Sequence, residues 1–82
     1  MPRFRKKPVE IEARQFDPSI DYDHACDVVS WCGGRATDQG LVIPTMEGEH
    51  LARPGYYVIK GVQGEFYGCE PDIFAATYEP VT

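Results

Sequence analysis

The first periodic segment of the chain is a strand pattern. Across residues 7–16, Val9, Ile11 and Ala13 alternate with charged residues. An alternation with period two is typical of a strand that is buried on one face. Pro18 cannot donate a hydrogen bond to a neighbouring strand, so we expect the strand to end before it. The sequence therefore predicts a half-buried strand at residues 7–16.

The next segment has the periodicity of a helix. One apolar stripe is formed by Tyr22, Ala25, Cys26, Val29 and Cys32,. Val28 and Trp31 widen this stripe on one side. Ser19 or Asp21 can cap the first turn of this helix, because both side chains accept backbone N–H groups. Gly33-Gly34 supplies the left-handed residue that commonly ends a helix. The pattern predicts an α-helix that ends near Cys32.

From Arg35 onward the chain has short β patterns separated by turn residues. The predicted strands are a weak one at residues 35–37, followed by 41–45, 50–52, 56–60 and 65–67,. Pro44 restricts the second of these towards a sheet edge. Pro71 suits the first turn of a short helix, and this helix would direct Ile73, Phe74 and Tyr78 towards the core.

Together these elements predict an α+β fold in a single domain, residues 1–82. The expected architecture is a small curled antiparallel sheet of four to six strands packed on one α-helix, with a short C-terminal helical turn. A chain of this length buries only about 60–65% of the surface that its unfolded form exposes. A homodimer would therefore add useful stability.

Charge and composition limit the kinds of partner and the cellular compartment that we expect for this protein. Residues 1–14 hold five basic and two acidic side chains, a charge of +3, whereas the rest hold three basic and eleven acidic side chains, a charge of −8. An acidic body disfavours nucleic-acid binding. No apolar stretch is long enough for a membrane helix, and no secretion signal follows the basic start. Three cysteines suit a reducing cytoplasm better than a disulfide framework,.

Several motifs together resemble one group of proteins. They are Lys7-Pro8-Val9-Glu10-Ile11-Glu12-Ala13, Cys32-Gly33-Gly34, Gly64-Glu65-Phe66-Tyr67 and Pro71-Asp72-Ile73-Phe74. The chain resembles short proteins of tailed phages and prophages, mainly of actinobacteria, which have no settled biochemical role. Tyr56 departs from the pattern, because the family usually has Asp after Pro-Gly. The resemblance implies phage origin and a place in the host cytoplasm, and it implies no activity.

The chemistry-bearing residues do not form a catalytic or metal-binding motif. The residue types that zinc prefers are present as His24, Cys26, Cys32, His50 and Cys69, but without ligand spacing,. Cys69 precedes a helix start, where a thiolate can be stabilised, yet no spacing ties a base to it. We therefore expect no metal, no cofactor and no enzymatic activity.

The best candidate binding surface is the predicted hairpin near the C-terminus. It gathers Arg53, Tyr56, Tyr57, Lys60, Glu65 and Tyr67. Exposed tyrosine beside arginine is typical of protein interfaces. The alternative is that these tyrosines cover a thin core and direct their hydroxyls to water. Glu65 is also expected to lie opposite Lys60 as a cross-strand ion pair.

Two functions fit these observations. The leading hypothesis is a non-catalytic phage accessory protein that binds a host protein in the cytoplasm. The alternative is a protein that binds or sequesters a small, nucleotide-like ligand, at a dimer interface where tyrosines stack on the base and Arg53 and Lys60 hold phosphate. A deep basic cleft would favour the ligand, and a flat acidic surface would favour the protein partner.

Overall fold

The computed structural model describes residues 2–3 and 10–79 of the chain. Its elements are β1 (Glu12–Gln15), α1 (Tyr22–Cys32), β2 (Arg35–Thr37), β3 (Gly40–Thr45), β4 (Gly48–Ala52), β5 (Tyr57–Lys60), β6 (Phe66–Cys69) and α2 (Pro71–Thr77). Residues 4–9, which hold the first part of the predicted N-terminal strand and most of the basic arm, lie outside the described residues.

The strands form two antiparallel sheets of three strands each. The first sheet has the order β1-β5-β6, and the second has the order β2-β3-β4. The predicted α+β class is confirmed, but the single sheet of four to six strands is wrong. The second sheet consists of neighbours joined by short turns, whereas β1 pairs with β5 far along the chain, with Glu12 opposite Lys60.

The two sheets pack against each other, and no strand of one sheet pairs with a strand of the other. β6 of the first sheet lies against β3 and β4 of the second. Gly68 makes this approach close: a Cβ atom at Gly68 would lie 3.2 Å from the Cβ atom of Ala52 and 3.7 Å from Cδ1 of Ile43. The absence of a side chain at this position allows the two layers to meet.

The core lies between these layers and α1. Its buried members from the second sheet are Leu41, Ile43 and Ala52, and Phe16 and Val58 come from the side of the first sheet. Helix α1 contributes Ala25, Val28 and Cys32. Of the predicted stripe, Ala25 and Cys32 are buried and Val29 packs against the core, whereas Tyr22 and Cys26 are exposed.

Both ends of α1 follow the sequence signals. The side chain of Asp21 accepts the backbone N–H of His24 at 3.0 Å, which satisfies a donor that the helix itself leaves unpaired,. Gly33 has a φ of 67°, and the N–H of Gly34 donates to the carbonyl of Val29 at 3.0 Å. A left-handed glycine with this backward hydrogen bond is the expected helix ending.

Pro44 does not place its strand at a sheet edge, since β3 is the central strand of the second sheet. Strand β2 pairs only with Gly40–Val42. At Pro44 the strand therefore has β4 as its single neighbour, and the missing N–H breaks no hydrogen bond with β2. The local geometry at Pro44 is that of an edge although the strand as a whole is central.

Helix α2 begins at Pro71, as the sequence predicts, and the side chain of its N-cap residue Glu70 makes no capping hydrogen bond. Phe74 and Tyr78 are half-buried. Ile73 was expected to face the core and is instead 53% exposed. A seven-residue helix buries only one narrow stripe, and here that stripe contains the aromatic residues,.

Candidate functional site

The six residues of the predicted binding hairpin do not share one surface. Alternate residues of a strand point to opposite faces, so Tyr57 lies on one face of the first sheet while Tyr56 and Lys60 lie on the other,. Tyr67 lies opposite Ile59 and therefore belongs to the face of Tyr57. Arg53 precedes β5 and Glu65 directly precedes β6. The structure thus divides the predicted set.

Tyr57 and Tyr67 are packed beneath α2. The ring of Tyr57 stacks on Phe74 with centroids 3.9 Å apart, and Phe74 in turn stacks on Tyr78 at 5.1 Å. The nearby Tyr78 hydroxyl, together with burial, raises the pKa of Tyr67 to about 12. Tyr57 and Tyr67 therefore hold α2 against the sheet. For these two residues the structure agrees with the alternative interpretation, in which the tyrosines cover a thin core.

Tyr56 is also engaged with its own chain. Its ring packs against the core, and its hydroxyl donates to Oε1 of Glu70 at 3.4 Å. Desolvation and the Glu70 carboxylate raise the pKa of Tyr56, while nearby Arg53 acts in the opposite direction. Tyr56 and Arg53 are therefore close in space, but the carboxylates around them make this corner acidic, with Asp72 adding to the effect.

The expected Lys60–Glu65 ion pair is wrong. The strand register places Phe66, one residue further along, opposite Lys60. The Glu65 carboxylate turns into its own loop, where Oε2 accepts the N–H of Gln63 at 3.0 Å. The N–H of Gly61 donates to the carbonyl of Glu65 at 2.7 Å, so Glu65 lies opposite Gly61 and the loop proper comprises residues 62–64.

The three cysteines lie in different environments. Cys26 is exposed, Cys32 is buried and Cys69 is half-buried. Desolvation raises the pKa of Cys69, and the nearby carboxylates Glu70 and Asp72 raise it further. This is opposite to the stabilised thiolate that its place before a helix suggested, so Cys69 is a poor nucleophile. Among residues 2–3 and 10–79, no three His, Cys, Asp or Glu side chains are placed to hold a metal ion.

A concave feature lies on the second sheet, away from the predicted hairpin. It is a shallow depression of about 530 Å³ lined by Thr37, Asp38, Gln39, Val42, Glu49, His50 and Leu51. The alternation of side chains along β3 explains which residues lie at the bottom of the depression. Leu41 and Ile43 point into the core, so Val42 between them points outward, opposite Leu51 of β4. We call this surface the outer face of the second sheet.

The outer face combines an apolar centre with acidic groups. Leu51 is 37% exposed, although it is a large aliphatic side chain in a strand. Asp38 and Glu49 are the carboxylates in the lining, and no lysine or arginine is among the lining residues. Arg35 approaches from β2 and forms an exposed ion pair with Glu49, with a closest distance of 3.4 Å. An exposed pair of this kind holds its partners weakly.

Sequence reasoning did not select this face, although a signal for it existed. The strands at residues 41–45 and 50–52 were predicted, and period-two alternation within them already places Val42 and Leu51 on one side. What was missing was the pairing of Val42 with Leu51 and the knowledge that both line the depression. The tyrosines of the hairpin indicated a binding surface there instead.

Comparisons of the chain with protein-family models, with curated proteins and with solved structures found no match. In the described part of the chain, neither helix has the length and apolar character needed to cross a membrane. The function is therefore inferred from the residues of the chain itself.

Proposed function

We propose that this chain is a non-catalytic accessory protein of a tailed phage that binds a host protein in the host cytoplasm. The phage origin and the cytoplasmic setting rest on the sequence motifs that resemble phage and prophage proteins. The observation that carries the binding function is the outer face of the second sheet, with Val42 and Leu51 at its centre and Asp38 and Glu49 around them. Apolar centres with polar rims are the usual anatomy of protein interfaces.

The chemistry of this face favours a protein over a nucleotide-like ligand. A phosphate group needs lysine, arginine or a cluster of N–H donors, and the lining contains two carboxylates and no lysine or arginine. A shallow surface also encloses a small molecule poorly. The partner that fits best is a protein surface with an aliphatic or aromatic side chain for the Val42–Leu51 centre and a basic side chain for Asp38.

The proposal is tested by affinity capture from the lysate of an actinobacterial host with two charge-reversal variants. Asp38→Lys changes the lining of the depression at the β2–β3 turn. Glu47→Lys is the matched control, because Glu47 is an exposed acid in the equivalent turn between β3 and β4 and does not line the depression. Neither residue is buried, so we expect both variants to fold.

We expect quantitative mass spectrometry to recover one host protein with the natural chain and with Glu47→Lys, and to recover at least tenfold less of it with Asp38→Lys, since like charges at an interface are strongly unfavourable. Equal recovery with both variants would place the interface elsewhere. Recovery of no specific host protein with the natural chain would refute the proposed function.

A further inference from the structure

Strand β4 forms an uncovered edge of the second sheet. Within the described part of the chain it pairs only with β3. Four of its five residues, Gly48 to Leu51, are exposed, so no described element covers this edge. Edge strands are commonly protected by lysine, proline or a bulge. The sequence of β4 is Gly-Glu-His-Leu-Ala, and its register with β3 is continuous from Gly48 to Ala52.

The register shows which backbone groups of β4 point to this edge. Pro44 lies opposite Glu49. Residues of a hydrogen-bonded antiparallel pair each donate an N–H to the other, and proline has none, so Pro44 and Glu49 form a non-hydrogen-bonded pair. Hydrogen-bonded and non-hydrogen-bonded pairs alternate along an antiparallel ladder, so Val42 and Leu51 also form a non-hydrogen-bonded pair,. The N–H and C=O groups of Glu49 and Leu51 are therefore directed to the uncovered edge.

The side chains along this edge are complementary to themselves. Glu49 and Leu51 are two residues apart in β4 and so share the outer face, and Arg53 directly follows the last residue of the strand,. If the same strand from a second copy runs antiparallel with Leu51 opposite Leu51, each Glu49 lies between Arg35 of its own copy, which it already contacts at 3.4 Å, and Arg53 of the other copy. Arg53 is exposed and forms no ion pair among the described residues. One apolar pair is then flanked by two ion pairs.

We propose that two copies of this chain associate through β4, antiparallel about a two-fold axis at Leu51, to form one continuous six-stranded sheet. Pairing of edge strands satisfies backbone groups that otherwise bond to water, and a two-fold axis requires a self-complementary patch of this kind. Leu51 lines the depression of each copy, so the association joins the two depressions into one surface. The second copy thus contributes its Leu51 and Arg53 to the binding face.

This association needs no host protein, so it holds or fails independently of the proposed function. Native mass spectrometry and sedimentation equilibrium of the purified chain measure it directly. We expect a species of twice the 9.2 kDa chain mass, with a fraction that rises with concentration. A chain that remains at its single mass up to about 100 µM overturns the proposal.

Charge reversal tests the geometry of the interface. Glu49→Arg and Arg53→Glu each place like charges at both ion pairs, so each variant should raise the dimer dissociation constant about tenfold. The double variant Glu49→Arg/Arg53→Glu restores opposite charges and should return the constant to near that of the natural chain. Glu47→Lys is the control and should leave it unchanged. The proposal is contradicted if the single variants leave the dimer dissociation constant unchanged, or if the double variant does not bring this constant back towards that of the natural chain.

Amide hydrogen exchange provides a test without any substitution. Ala52 and His50 donate towards β3, so their amides should be protected at every concentration. The amides of Glu49 and Leu51 should exchange freely in dilute protein and become protected as the concentration rises. A dimer in which the Leu51 amide remains unprotected would use another surface, and that result overturns the proposal.

Discussion

Replacement of Gly68 by alanine tests the contact on which the two-layer fold depends. Gly68 is not among the glycines with positive φ, so its backbone conformation tolerates alanine. The added methyl group would lie 3.2 Å from the Cβ atom of Ala52, closer than ordinary van der Waals contact. Crowding of a packed core costs roughly 1–3 kcal/mol. Alanine also lowers the conformational entropy of the unfolded chain, which stabilises the folded state by about 0.4–1 kcal/mol. The expected net destabilisation is therefore about 1 kcal/mol.

A second substitution isolates the contact. Ala52→Gly removes the atom that a Gly68→Ala methyl group would meet, and the next neighbour, Cδ1 of Ile43, is 3.7 Å away. In the Ala52→Gly background, Gly68→Ala should therefore be neutral or slightly stabilising. The coupling free energy between the two substitutions should be about 1–2 kcal/mol, within the range for residues in direct contact.

Urea denaturation followed by the fluorescence of Trp31 measures all four proteins of this cycle. Trp31 is the single tryptophan, and its ring meets Phe66 of β6 edge-on with centroids 5.0 Å apart. Its emission therefore reports on the layer that contains Gly68. A Gly68→Ala substitution with the same effect in both backgrounds would refute the close approach of the two sheets at this position.

Two further substitutions test local features. Asp21→Ala should lower the free energy of unfolding by about 1 kcal/mol, because it removes the hydrogen bond to His24, whereas Asp21→Asn should retain most of it,. Equal losses in urea denaturation for both would contradict the capping role. The pKa of Tyr67 rises from 10.0 to about 12, so its contribution to stability is complete below pH 10 and decreases as the pH rises towards 12,. Tyr67→Phe should make the dependence of melting temperature on pH shallower in that window, and an unchanged slope would contradict the raised pKa of Tyr67.

The features that the sequence predicted well are those with local causes. The cap at Asp21, the left-handed Gly33 and the proline at the start of α2 each depend on one or two residues and their immediate backbone,. The turns that separate the strands were predicted for the same reason. None of these features requires knowledge of a distant part of the chain.

The division into two sheets could not be predicted in this way, because it depends on contacts between distant residues. Gly68 and Ala52 have no local signal that they meet, and Glu12 and Lys60 pair although they are 48 residues apart in the chain. A single sheet and two packed sheets use the same strand patterns. Periodicity cannot choose between them.

The candidate site was misplaced for a related reason. The tyrosines of the hairpin have the composition of an interface, but Phe74 of α2 stacks on Tyr57, and that contact is visible only in the folded chain. Val42 and Leu51 have ordinary strand composition. Their importance comes from being apolar and lying on the outer face of the second sheet, where both line the depression.

The measurement that most directly tests the central claim is site-specific photo-crosslinking in a host lysate. A photoreactive amino acid is placed at Asp38, inside the depression, and in a second protein at Val62, which is 70% exposed in the hairpin loop of the other sheet. The account predicts a specific host-protein adduct from position 38 that is absent from position 62. An adduct formed at Val62 and not at Asp38 would contradict the assignment of the outer face of the second sheet as the binding surface.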